Sequence, residues 1–193
     1  MSGDDFQRYL RAKRPVDDRS LDRRVWQRLR TGLADTGCEE PLRVLEIGTG
    51  VGTMIERALE WELFPSGRDV VYTAVDVASE NTAAIPDRLA AWATDRPVET
   101  REREDEIALV WPDRTVTIRP ETAEAGAFVA AADRSWDLLV GMAVLDLIEG
   151  DRLSTLLSAL APAGYWYFPI TFDGGTRFTP AHPADDAVER YYH

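Results

Sequence analysis

The residues with chemical potential fall into one short stretch and one isolated acid. RVLEIGTGVGTMIERALE (residues 43–60) places Glu46 ahead of three glycines at alternate positions, Gly48, Gly50 and Gly52, with Thr49 between the first two. The run VVYTAVDV then brings a carboxylate, Asp76, followed by Val77. Glycines let a backbone turn sharply and approach a ligand closely. An acid at the end of the next strand can accept hydrogen bonds from both hydroxyls of a ribose. A phosphate loop would require Gly-x-x-x-x-Gly-Lys-Ser/Thr, and no lysine follows these glycines. A dinucleotide loop begun at Gly48 would require its third glycine where Thr53 stands, one position later than Gly52. The pattern is therefore that of a nucleoside site with no phosphate signature, and Asp76 speaks for the nucleoside more than for any reaction.

The elements that must position these residues alternate. LRVLEI reads as a strand, TMIERALEWEL as a helix, VVYTAVDV as a strand, and ASENTAAIPDRLAAWA as a helix bent or begun near Pro86. EIALVWPDRTVTIR reads as two short strands around the turn WPDR, a hairpin leading into the third core strand. ETAEAGAFVAAA, SWDLLVGMAVL, DRLSTLLSALA and GYWYFPITF follow as helix, strand, helix and strand. Ahead of this core, SLDRRVWQRLRTGL sets Leu21, Val25, Leu29 and Leu33 on one helical face, with Ser20 as N-cap. Alternation of this kind predicts a parallel, doubly wound sheet covered on both faces, the α/β class.

Composition narrows the setting. At 193 residues one domain with a full core is expected, and no apolar run reaches membrane-spanning length. The amino terminus is charged throughout, so no secretory signal is visible, and a single cysteine, Cys38, forms no disulfide framework or cysteine zinc cluster. These features predict a cytoplasmic protein with no metal site. The net charge is −12, and Lys13 is the only lysine among 22 basic residues. An acidic, lysine-poor surface suits a halophilic host and disfavours a long polyanionic partner such as DNA.

The acid followed by alternating glycines at a strand-to-helix turn, with Asp76 after the next strand, resembles the class I S-adenosylmethionine-dependent methyltransferase family, in a haloarchaeal-type member. The resemblance runs over residues 42–172 and implies a Rossmann-like three-layer α/β/α sandwich with a mostly parallel sheet. It implies S-adenosyl-L-methionine as cofactor, released as S-adenosyl-L-homocysteine, and methyl transfer to an oxygen or nitrogen of a small-molecule acceptor. Glu46, Gly48, Thr49, Gly50 and Gly52 would surround the aminoacyl end, whose ammonium and sulfonium Glu46 would favour. Asp76 would hold the ribose and Val77 would pack on adenine. Glu121 or Thr122, in VTIRPETAEAG, would meet the adenine edge. Gly141, Met142 and Ala143 would line the exit of the fourth strand. Pro162-Ala163-Gly164 resembles the family's turn into its fifth strand. YLRAKRPVDDRSL, around residues 9–19, would be a lid over the cofactor or a plain edge helix.

The domain reading is thus a helical segment at 1–40, a cofactor-binding core at 42–172 and an incomplete tail at 173–193, all one unit. The family completes its sheet with two further strands, so the expectation is a chain lacking them; a reduced sheet and an edge covered by a second copy, a homodimer, are the alternatives. Simpler roles stand beside these. Glu46 could pair with Arg43, Glu121 could be a helix-start acid, and the tryptophans could simply pack. Asp146 is the one candidate base, weighed against a capping role. His182 and His193 lie in a polar tail. Direct transfer needs positioning more than a base. GMAVL after the fourth strand is not the Asn/Asp-Pro-Pro-aromatic motif used on base amines. The rival functions are an aminopropyltransferase-like enzyme, a catalytically silent cofactor-binding module and a nicotinamide oxidoreductase.

Overall fold

The computed structural model describes residues 3–36, 40–170 and 178–192. Cys38, His193 and most of the stretch FDGGTRFTP lie outside them. Two helices lead, α1 (Gly3–Ser20) and α2 (Arg23–Asp35). The core then runs β1 (Leu42–Ile47), α3 (Thr53–Glu60), β2 (Val70–Asp76), α4 (Ser79–Ala83) and α5 (Ile85–Ala93). It continues with β3 (Glu99–Arg103), β4 (Glu106–Val110), β5 (Thr115–Thr122), α6 (Ala125–Ala131), β6 (Trp136–Val140), α7 (Gly150–Leu157) and β7 (Leu160–Tyr167). A short helix, α8 (Asp185–Tyr192), lies beyond.

The seven strands form one sheet in the order β3-β4-β5-β2-β1-β6-β7. β5, β2, β1, β6 and β7 are parallel, while β3 and β4 run antiparallel at one side. The chain builds outward from β1 to β2 and β5, then returns to lay β6 on the other side of β1. That reversal opens a crevice at the carboxyl ends of β1 and β6, where an open α/β sheet binds ligands.

Strand parity divides the core between two layers. Leu42 and Val44 of β1, Tyr72 and Ala74 of β2, and Leu138 and Val140 of β6 pack with Trp26, Leu29 and Leu33 of α2, with Met54, Ile55 and Ala58 of α3, and with Ile85 and Leu89 of α5. Leu45, Ile47, Val75 and Leu139 face the other way, against Val129 of α6 and Leu156 of α7. The result is the expected Rossmann-like three-layer α/β/α sandwich with a mostly parallel sheet. Among the described residues no strand follows β7. No described helix is long and apolar enough to cross a membrane.

Several local expectations change. The N-cap of α2 is Asp22, which accepts from Arg24 N and Val25 N, whereas Ser20 donates back to Val16 within α1. The covered face of α2 is Trp26, Leu29 and Leu33, and Val25 is exposed. The helix after β2 breaks at Ala84, with Pro86 in the first turn of α5, as its ring favours. The WPDR hairpin is present, closed by Trp111 N–H on Arg114 O at 2.9 Å. Its second arm is itself the third core strand, and an added strand, β3, pairs on its first arm. β7 begins four residues ahead of Gly-Tyr-Trp; its register with β6 jumps from Trp136↔Leu160 to Leu138↔Tyr165, so Pro162-Ala163-Gly164 forms a bulge, with Ala163 at φ +64°. Trp166 on β7 is 59% exposed, so packing does not account for it.

Candidate functional site

The alternate glycines are set by the backbone. From Ile47 the chain turns through Gly48 (φ +63°), Gly50 (φ +53°) and Gly52 (φ +79°), all left-handed, before α3 begins. An L side chain at such a position costs about 1–2 kcal/mol. At Gly50 a Cβ would also stand 2.9 Å from Leu10 Cδ1, so α1 closes directly onto the loop. Thr49 N–H reaches Val75 O at 3.1 Å and Gly52 N–H reaches Thr49 O at 3.0 Å, which ties the turn to the end of β2. Gly52 caps α3 without a side chain, leaving its first turn free of any side-chain cap.

Glu46 points from β1 into the layer under α3 and is 1% exposed. Its Oε2 accepts from Tyr72 Oη and from Thr49 Oγ1, each at 2.8 Å. Burial raises its pKa to about 7, against the pull of those two hydrogen bonds and of the nearby Arg57 guanidinium. Pairing with Arg43 is not what holds it: the Arg43 guanidinium binds Glu40 at 3.1 Å. A half-ionised carboxylate at the end of β1 can therefore respond to a cation brought beside it.

Asp76 closes β2 and does two things at once. Its Oδ2 accepts from Gly50 N–H at 2.7 Å, and its Oδ1 accepts from Ala78 N–H at 2.9 Å and Asn81 Nδ2 at 3.3 Å. A carboxylate offers about four acceptor positions, so three donors leave room for another and the long Asn81 contact can yield. The same side chain is thus a clamp on the glycine loop and an acceptor facing outward.

These parts meet in a cavity of about 450 Å³, bordered by Glu46, Gly48, Thr49, Gly50, Thr53, Asp76, Val77, Ala78 and Asn81 on the sheet side. Met142, Ala143, Val144 and Leu147, after β6, form the second wall, and Tyr9, Leu10, Lys13 and Asp17 of α1 form the third. Val77 is 73% exposed there, an apolar surface with little against it. Three acids and one cationic side chain, Lys13, stand among the described residues that line this space. α1 is fixed over it by charge. Arg57, with no exposed surface, pairs with Asp18, and Arg14 pairs with Glu56 and Glu60 of α3. Glu56 in turn holds Arg88 at 2.6 Å, and Gln7 Nε2 donates to Glu80 O at 2.8 Å.

Other sequence-derived candidates lie elsewhere. Glu121 shares strand parity with Arg119 and borders a separate hollow with Thr73, Phe128 and Trp136. It is a strand residue, and the helix-start acid is Glu124, which caps α6 through Ala127 N–H at 2.7 Å. Thr122 lies opposite Asp76 in the sheet and shares a 2.7 Å hydrogen bond with Thr82. Gly141 is buried beside the cavity wall, where a Cβ would fall 2.4 Å from the Phe168 ring; its small size serves that packing. Asp146 is exposed on a short 3₁₀ turn (Leu145–Leu147) and does not border the cavity. Sequence reasoning missed Tyr72, Lys13, Asp17 and Asn81. Tyr72 carried a signal, since it shares strand parity with Ala74 and so stands on the Glu46 face.

Comparison with known proteins adds the following. No family model matches the chain. A stretch of 55 residues, 28% of this chain, is 46% identical to part of the non-reducing polyketide synthase dpmpA of Macrophomina phaseolina (strain MS6), of which it covers 2%. Among solved structures, the chain is similar to the glycopeptide N-methyltransferase MtfA complexed with (S)-adenosyl-L-methionine, at 20% identity over 73% of this chain and 52% of that one, with a TM-score of 0.42. It is similar to an S-adenosylmethionine-dependent methyltransferase from Clostridium acetobutylicum ATCC 824, at 13% identity over 86% and 57% of the two chains, TM-score 0.48. A third is magnesium protoporphyrin IX methyltransferase (ChlM) from Synechocystis PCC 6803 with bound SAM, at 13% identity over 71% and 53%, TM-score 0.41. The chain spans about half the length of these solved structures.

Proposed function

We propose that the chain binds S-adenosylmethionine in the 450 Å³ cavity and transfers its methyl group to an oxygen or nitrogen of a small molecule. The observation that carries this reading is the charge of the cavity wall. Asp17, Glu46 and Asp76 surround a glycine loop at the sheet's reversal point, and Lys13 is the one cation among the described residues there. Such a wall suits a nucleoside bearing ammonium and sulfonium charges and disfavours a pyrophosphate.

The cofactor supplies an electrophilic methyl on a positively charged sulfur. The chain's part is to bind and align. Asp76 accepts from the ribose while still holding Gly50, and Val77 offers its exposed face to the adenine. Glu46, drawn toward ionisation by a neighbouring cation, favours the aminoacyl end. Met142 and Leu147, at the exit of β6, border the approach of an acceptor. Alignment of acceptor and methyl supplies most of the acceleration in a displacement of this kind, and the reading assigns no base. α1 acts as the lid, held down by the Asp18–Arg57 and Arg14–Glu56 pairs.

Calorimetric titration with S-adenosylmethionine, S-adenosylhomocysteine and NAD tests the reading. Micromolar binding of the first two and none of the third is expected. NAD binding alone would overturn the methyltransferase reading in favour of an oxidoreductase. Because Asp76 also clamps the loop, an Asp76→Ala variant is informative only with circular dichroism showing an intact fold.

A further inference from the structure

Two strong candidates elsewhere are weaker. Trp166 is exposed on β7, the last strand of the sheet among the described residues, and no described residue indicates an occupant there. The hollow between Arg30, Arg68 and Arg114 has its guanidinium groups already committed to Glu62, Thr36, Glu40 and the carbonyls of Phe64 and Pro65. Lys13 is different. The chain uses arginine at 21 of its 22 basic positions, and its single lysine borders the candidate cofactor cavity. A compact ammonium on a flexible stem suits a monodentate carboxylate in a confined space, where a planar guanidinium would need more room.

Its surroundings set the role. Lys13 Nζ lies 3.0 Å from Asp17 Oδ1, one helical turn along α1, and the Asp17 side chain is largely buried. The ammonium thus stands on the α1 wall of the cavity, and every other charged side chain among the described lining residues is an acid. S-Adenosylmethionine carries one anionic group, the α-carboxylate of its aminoacyl end. Glu46 and Asp76 stand on the sheet side, so Lys13 is the one charged group among the described lining residues that attracts that carboxylate.

Building on the cofactor reading above, we propose that Lys13 receives the α-carboxylate of the cofactor, so that α1 recognises the aminoacyl end while the sheet recognises the nucleoside. The α1 helix, already held over the cavity by the Asp18–Arg57 and Arg14–Glu56 pairs, then contacts the ligand directly, its ammonium bridging Asp17 and the carboxylate.

The probes are S-adenosylhomocysteine and 5′-methylthioadenosine, which shares the nucleoside and the thioether but lacks the aminoacyl group. Calorimetry is run on the parent, on Lys13→Met and on Lys13→Met with Asp17→Asn; the last avoids leaving a buried carboxylate unpaired. Both variants are expected to lose about ten- to a hundredfold in affinity for S-adenosylhomocysteine, the worth of a hydrogen bond to a charged group, with affinity for 5′-methylthioadenosine unchanged. Lys13→Arg is expected to recover part of the loss. Equal losses for both probes would reduce Lys13 to a brace for α1 and overturn the proposal. No loss for either would do the same while leaving the cofactor reading intact. A folded parent that binds neither probe would remove the cofactor reading, and this proposal with it.

Discussion

Glu46→Gln isolates one buried carboxylate and reports it as a change in stability with pH. Burial sets the Glu46 pKa at about 7, against 4.5 in the unfolded chain. Between those values the folded protein keeps a proton that the unfolded chain has released, so this group makes stability fall as pH rises from about 4.5 to about 7, with no further change above. At about 1.4 kcal/mol per pKa unit, the displacement is worth about 3 kcal/mol. Glutamine keeps an acceptor oxygen for Tyr72 Oη and Thr49 Oγ1 and has no charge to bury. Urea unfolding of parent and variant, followed by tryptophan fluorescence in molar potassium chloride, gives the difference between them and cancels all other titrating groups. The variant is expected to match the parent near pH ~4 and to be more stable by about 3 kcal/mol near pH ~8. A difference of the same size at both pH values would show that Glu46 does not titrate between them and would refute the reasoning.

Three other outcomes follow from the geometry. Gly50→Ala forces a left-handed alanine against Leu10, so a stability loss of about 1–2 kcal/mol is expected by thermal unfolding, together with a measurable drop in S-adenosylhomocysteine affinity. Asp18→Ala leaves the Arg57 guanidinium buried without its counter-charge; about 3 kcal/mol of stability should be lost, and hydrogen exchange should show α1 opening first. With a net charge of −12, the melting temperature should rise between about 0.1 M and about 2 M potassium chloride, as screening relieves self-repulsion. A flat or falling temperature would show that the Arg–acid pairs, weakened by the same salt, dominate instead.

The sequence showed the centre of the fold more clearly than its margins. β1, the glycine turn and β2 were legible because buried parallel strands read as mostly apolar runs and because left-handed turns at 48, 50 and 52 select glycine. β3 was not, since ETRER has five exposed residues and exists as a strand only through its ladder with β4. The capping of α2 failed on a distance of two residues: Ser20 and Asp22 are both good caps, and only the path of the chain out of α1 selects the second. At the site, Glu46, Asp76 and Met142 were found by pattern and do border one cavity. Glu121, Thr122 and Asp146 were placed by analogy along the chain and do not border it: Glu121 lines a separate hollow, the Thr122 hydroxyl is engaged with Thr82, and Asp146 sits exposed on the 3₁₀ turn after β6. Tyr72 was legible in principle from strand parity, whereas Lys13 and Asp17 reach the site through long-range packing, which no local spacing records. The tail after β7 was expected to be incomplete; residues 171–177 lie outside those described, and α8 adds no strand to the sheet.

The double engagement of Asp76 has a consequence for how such a site can diversify. One carboxylate holds the loop through Gly50 and borders the cavity, so a substitution there alters chain conformation and the cavity wall in the same stroke. On the proposed reading, the nucleoside end is thereby locked against gradual drift. Leu147 after β6 lies at the exposed rim and makes no comparable clamp on the glycine loop. On the proposed reading, selection can vary the wall after β6 one residue at a time, which gives the scaffold a fixed half for the cofactor and a variable half for new acceptors.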